Sequence, residues 1–152
     1  MTQSIKYILA GVLIYFILTN RKKQNIVSNI PTSEFFKLSD FHSKDGVKVP
    51  VEYYENLQNL FNNLDVLRKY INAPIFINSG YRSPAHNKAV GVKTNSMHLY
   101  GKAADIRVNT LTPKQLAAAI EKLIKEGKML QGGLGIYPTF VHYDIRGTKA
   151  RW

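Results

Sequence analysis

Four histidines and ten carboxylates carry most of the chain's capacity for proton or metal chemistry, because cysteine is absent. Without thiolates a metal must sit on His, Asp or Glu, and no disulfide framework is possible. Two stretches concentrate such groups. "SMHLYGKAAD" (96–105) sets His98 seven positions before Asp105, with a glycine and two alanines between them. "TFVHYDIR" (139–146) holds His142 and Asp144. Alternate residues of an extended segment face the same way, so Phe140, His142 and Asp144 share one face and Val141, Tyr143 and Ile145 the other. On "GKAADIRV", Ala103 and Asp105 share a face, and the small alanines leave room around the carboxylate. Brought together, His98, Asp105 and His142 supply three N/O donors, the number that a catalytic zinc keeps while its fourth position stays open. Taken singly, each is better explained as a hydrogen-bonded structural group. The spacing alone does not decide.

The elements that must position these residues read as α+β. A helix follows Pro50, where Leu57, Leu60, Phe61, Leu64, Leu67 and Ile71 recur at three- and four-residue spacing. "PIFINS" (74–79) reads as a strand stopped by Gly80. A second helix runs from Thr112, a cap before Pro113, to Glu126, with Gly127 as its stop. "GGLGIY" and "TFVHYDIRG" read as two late strands joined through Pro138. This order of elements predicts a mainly antiparallel sheet with flanking helices.

The length, 152 residues, and the 45% hydrophobic content suit a single domain with a real core. A net charge of +11 favours an anionic partner, whether nucleic acid, membrane headgroups or an anionic cell-wall polymer. No helix-turn-helix or finger spacing and no basic reading element occurs, so nucleic acid is not an expected partner.

Near the N-terminus, "SIKYILAGVLIYFILTNRKK" carries no charge from Tyr7 to Asn20, and its apolar residues occupy every helical face. Residues 1–23 are therefore read as an uncleaved transmembrane anchor with a basic flank, followed by a polar linker over 24–34 and a folded domain over 35–152. Arg21, Lys22 and Lys23 outnumber Lys6 and the amino terminus, which by the positive-inside rule would keep the domain on the cytoplasmic side.

Three stretches in order, "SGYRSP", "SMHLYGKAADI" and "GGLGIYPTFVHYDIRG", resemble the zinc D-Ala-D-Ala carboxypeptidase family, whose fold is shared with the hedgehog signalling domain. With "FKLSDFHSKDG" they span 35–152, and the likeness leans towards phage and bacterial wall-lysing enzymes. The resemblance implies a hedgehog/DD-peptidase-like fold, a Zn2+ ion on His98, Asp105 and His142, and hydrolysis of peptidoglycan peptides. It also implies that Arg82, the arginine of "GYRS", holds the substrate's carboxylate or carbonyl. Several relatives carry an acidic general base three residues before the last zinc histidine, where this chain has Thr139. Past Asp65 the acidic residues are Asp105, Glu121, Glu126 and Asp144, which leaves Asp144 as either the base or a group that orients a ligand.

Ser96 and Tyr137 are expected to line the cleft and bind substrate. His86 is assigned to loop structure or a substrate contact, His42 is a weaker candidate still, and Trp152 reads as a packing residue. The missing acid at Thr139 keeps open a non-catalytic, zinc-containing wall-binding module. The anchor's charge flanks and the phage likeness together suggest a location in a virion membrane or in the host cell envelope.

Overall fold

The computed structural model describes residues 18–19, 29–91 and 94–152. Pro31–Trp152 forms one compact unit. Its framework is a helix, α1 (Tyr54–Ile71), packed on a five-stranded sheet together with a second long helix, α3 (Pro113–Lys125). The strands are β1 (Phe76–Ser79), β2 (Ala103–Arg107), β3 (Gly133–Ile136), β4 (Val141–Asp144) and β5 (Ala150–Arg151), in the spatial order β1-β2-β4-β3-β5. A short helix, α2 (Pro84–Ala89), and a 3-10 turn, Met97–Tyr100, lie between β1 and β2. The architecture is α+β, as the element order implies.

The apolar stripe of α1 buries Leu57, Leu60, Phe61, Leu64 and Leu67, and α3 buries Leu116, Ala117, Ile120 and Leu123. Both stripes meet one face of the sheet, where Ala104, Ile106, Leu134, Val141 and Tyr143 are also buried. This is the face opposite His142 and Asp105, so the period-two alternation separates a greasy side from a chemical side. Asn63 of α1 anchors the contact, its side-chain oxygen accepting from the Leu130 N–H at 2.6 Å and the Tyr143 hydroxyl at 3.1 Å. The start of α3 is the expected one. The Thr112 hydroxyl accepts from the Gln115 N–H while the Gln115 side chain accepts from the Thr112 N–H, and Pro113 opens the first turn.

Three adjacent pairs of the sheet are antiparallel and one, β3 with β5, is parallel. The parallel edge was not anticipated, since β5 contains only two residues and carries no periodic signal. The segment around His86, expected as a loop, is instead the helix α2. Its N-cap is Ser83, whose hydroxyl accepts from the His86 N–H, and Pro84 starts it. The expected transmembrane segment lies outside the described residues apart from Leu18 and Thr19. Among the described residues, no helix is long and apolar enough to cross a membrane.

Candidate metal centre and cleft

Register across the sheet assembles the site. Ser79 of β1 pairs with Asp105 of β2, Asp105 pairs with His142 of β4, and His142 pairs with Gly135 of β3, giving one row across four strands. A bulge between Ile77 and Ser79 shifts β1 so that Ser79 meets Asp105. His98 reaches the same spot from the 3-10 turn, where Gly101 closes the turn in a left-handed conformation (φ 64°). One donor atom from each of His98, Asp105 and His142 falls within a sphere where all lie within 4.8 Å of one another, and all three residues are buried. Oδ1 of Asp105 is 3.3 Å from Nε2 of His98 and 2.9 Å from Nδ1 of His142, and the two ring nitrogens are 3.2 Å apart.

The outer ring nitrogens are each committed. Nδ1 of His98 donates to the Gly80 carbonyl at 2.6 Å, which leaves Nε2 as the lone-pair atom. Nε2 of His142 lies 2.9 Å from Oδ2 of Asp144, which presents Nδ1 to the cluster. Gly80 is needed for this arrangement, because a Cβ there would come within 2.6 Å of the Phe41 Cα. Three convergent N/O donors with their tautomers held from behind form a donor set that fits a divalent cation such as zinc.

Charge reinforces the arrangement. Burial opposes ionisation of Asp105, but its close contacts with His142 and His98 outweigh it and hold the carboxyl well below the usual range. Asp144 is likewise held low against the cost of burial, by His142, Arg146 and the Gly133 N–H. Burial lowers the pKa of His98. For His142 the burial penalty is overcome by Asp105 and Asp144, and its pKa is raised.

Arg82 sits at the β1 side, its Nη2 2.5 Å from Oδ2 of Asp105 and its Nε donating to Ser79 Oγ at 3.0 Å. Nη1 has no hydrogen-bond partner among the described residues. The cleft over the cluster has a volume of about 660 Å³ and is walled by Arg82, Ser96, Met97, Tyr137, Phe140 and Trp152, among others. Ser96 and Tyr137 both line this cleft. Asp144 does not line the cleft: it is fully buried behind His142. Its Oδ1 accepts from the Gly133 N–H at 3.0 Å, and the Arg146 guanidinium grips both oxygens, with Nε 2.8 Å from Oδ1 and Nη2 2.5 Å from Oδ2.

His86 is not among the residues of the cluster or the cleft, and neither is His42, which accepts from the Val49 N–H at 3.4 Å in a separate loop. Arg146 and Trp152 are among the wall residues that were not foreseen. Arg146 could have been found from the alternation in "HYDIR", which places it on the face of His142 and Asp144. Trp152 had no such signal, since its position depends on β5 returning beside β3.

Residues 32–144 match the peptidase M15 family. Over 104 residues the chain is 34% identical to a probable peptidoglycan L,D-endopeptidase of Haemophilus influenzae, a stretch covering 64% of this chain and 52% of that protein. The chain thus spans about half the length of that curated relative. Among solved structures, an L-Ala D-Glu endopeptidase of Serratia marcescens is similar with a TM-score of 0.45 at 22% identity, covering 62% of this chain and 86% of that one. The family match takes in Arg82, all three donors of the cluster and Asp144, and the chain belongs to the peptidase M15 family.

Proposed function

We propose that this chain is a zinc-dependent peptidase that hydrolyses the stem or cross-link peptides of peptidoglycan. The observation that carries the reading is the buried His98–Asp105–His142 cluster, with both histidine tautomers fixed, at the floor of a cleft in a peptidase M15 chain. His98, Asp105 and His142 would hold the zinc ion, which when bound would supply Lewis acidity to a carbonyl and to water. The chain's own groups do the rest. Arg82 holds a substrate carboxylate or carbonyl while bracing Asp105, and Ser96 and Tyr137 line the path of the peptide. Of the two roles open to Asp144, its placement behind the ring favours orienting His142 over taking a proton from cleft water.

A second reading is a zinc-holding wall-binding module without turnover. It is favoured by one observation: Asp105 is the one carboxylate among the described residues of the cleft wall. Incubating the protein with purified peptidoglycan, with and without a chelator, and analysing the fragments separates the two. Chelator-sensitive release of peptides supports the peptidase, and binding without release supports the module.

For residues 1–23 the proposal is a membrane anchor, in a virion membrane or the host cell envelope, based on the uncharged run from Tyr7 to Asn20. Protease protection of the membrane-inserted protein, with fractionation of cells and particles, tests it. Recovery of the full chain in the soluble fraction would refute it.

A further inference from the structure

Trp152 is placed unlike a packing residue. Its backbone is stitched to β3 on both sides, the Trp152 N–H donating to Leu134 O at 3.3 Å and the Ile136 N–H donating to Trp152 O at 2.9 Å. Its indole lies over Gly135, the last residue of the row that runs Ser79, Asp105, His142, Gly135. A Cβ at position 135 would fall 2.4 Å from Nε1 and 2.6 Å from Cε2, so only glycine leaves this seat open. The ring centroid is 5.2 Å from that of His142, with a tilt of 43°. Nε1 donates to the Tyr137 hydroxyl at 3.0 Å, and the Arg146 guanidinium carbon stands 5.6 Å over the ring. Tyr137 in turn stacks on Phe140, with centroids 4.4 Å apart and planes 8° from parallel.

Despite these restraints the side of the residue towards the cleft stays open, and Trp152 is 50% exposed. An indole fixed on every polar side and left bare on an apolar one is a pre-organised contact surface, since its binding costs little side-chain entropy. Its one donor is already used and the Arg146 guanidinium already stands over the ring, so what remains suits uncharged C–H surface. Arg82 follows β1 and Trp152 follows β5, at opposite edges of the sheet, with Asp105 and His142 on strands between them. One end of the cleft therefore carries the Arg82 guanidinium and the other the Trp152 indole, with Arg146 beside it paired to Asp144.

Resting on the peptidase reading, we infer that Trp152, seated on Gly135 and steadied by Tyr137, is a substrate-binding and specificity-determining residue. It takes an uncharged, C–H-rich part of the substrate residue beside the scissile bond, such as an alanyl methyl or a peptide plane, while Arg82 takes the polar end.

Trp152 is the single tryptophan of the chain, so emission excited at wavelengths where the nine tyrosines do not absorb reports on it alone. The experiment titrates the full chain, saturated with zinc beforehand, with a soluble stem-peptide fragment of peptidoglycan. The expected result is a saturable change in emission, protection from acrylamide quenching, and a midpoint that tracks KM. Trp152→Ala should raise KM about tenfold, the worth of a good aromatic contact, with bound zinc unchanged. Trp152→Phe should recover part of that loss, and Gly135→Ala, which displaces the indole, should raise KM while zinc is retained. If wild type cleaves the fragment while emission and quenching stay unmoved and Trp152→Phe keeps the wild-type KM, the platform is refuted and the peptidase reading survives. Emission change and quencher protection without cleavage support the platform and sink the peptidase. If wild type neither cleaves nor responds, both fail. Should Trp152→Ala not fold, wild-type emission with Trp152→Phe and Gly135→Ala still decides.

Discussion

Asp105 and His142 are cross-strand partners on β2 and β4, and Oδ1 of the first lies 2.9 Å from Nδ1 of the second. Two-stranded antiparallel pairing thus delivers two of the three donors to one point with no loop involved. A site built on strands holds its geometry better than one built on loops. Only His98 comes from a turn, and the Gly80 carbonyl fixes its ring.

Zinc content should depend on the two histidines. The purified protein is expected to hold close to one zinc per chain by metal analysis, and His98→Ala or His142→Ala should abolish it. Full zinc in both variants would sink the assignment.

Asp144→Asn separates the two roles of that carboxylate. An asparagine can offer N–H to His142 Nε2, which favours the tautomer with the proton on Nδ1 and so blocks the donor atom. If Asp144 orients His142, zinc affinity should drop about 10- to 100-fold in a competition assay with a chelator. A base would instead leave affinity intact and lower kcat about 100- to 10,000-fold.

Gly80→Ala tests the support of His98. The added methyl would lie 2.6 Å from the Phe41 Cα, so the backbone must move and carry the Gly80 carbonyl with it. Urea unfolding should show a loss of about 1–3 kcal/mol, the usual cost of overpacking, together with weaker zinc binding. Wild-type values for both would show that the carbonyl is not required.

Arg82→Lys keeps the charge but not the fork that spans Ser79 and Asp105. Turnover of peptidoglycan fragments should fall with zinc still bound. Equal activity of the two side chains would mean that the planar geometry is not used.

The strand that carries Trp152 is tied to α3 by an ion pair between Arg151 and Glu121, with Nη2 3.0 Å from Oε2. Arg151 holds the Glu121 carboxyl below its ordinary value near 4.5, with Lys149 assisting and partial burial opposing. A depressed carboxyl stabilises the fold above the unfolded-state value, and that share is lost as pH falls through the lower folded-state value. The pair is partly exposed, so its worth is at most ~1 kcal/mol. Thermal unfolding should find wild type more stable than Glu121→Gln at neutral pH, with the gap closing below about pH 4.5. A gap that widened in acid would contradict the pairing.

The sequence by itself determined the two long helices and the chemical face of β4. Each rests on a local rule: the three-and-four spacing of Leu57 to Leu67, the Thr112–Pro113 start, and the alternation that sets His142 and Asp144 on one face and Val141 and Tyr143 on the other. The spacing of His98 and Asp105 became legible only in the company of flanking motifs, because seven residues of separation specify no geometry. Tertiary structure decided the rest. Strand order put Asp105 beside His142, and a bulge in β1 brought Ser79 and then Arg82 to the same carboxylate. Whether Asp144 faces cleft water or hides behind a ring depends on where Arg146 and the Gly133 N–H come to rest, which alternation does not encode. Trp152 is the clearest case. Its place in the cleft follows from a two-residue parallel strand and a missing Cβ on β3, both non-local facts that no pattern in "TKARW" can express.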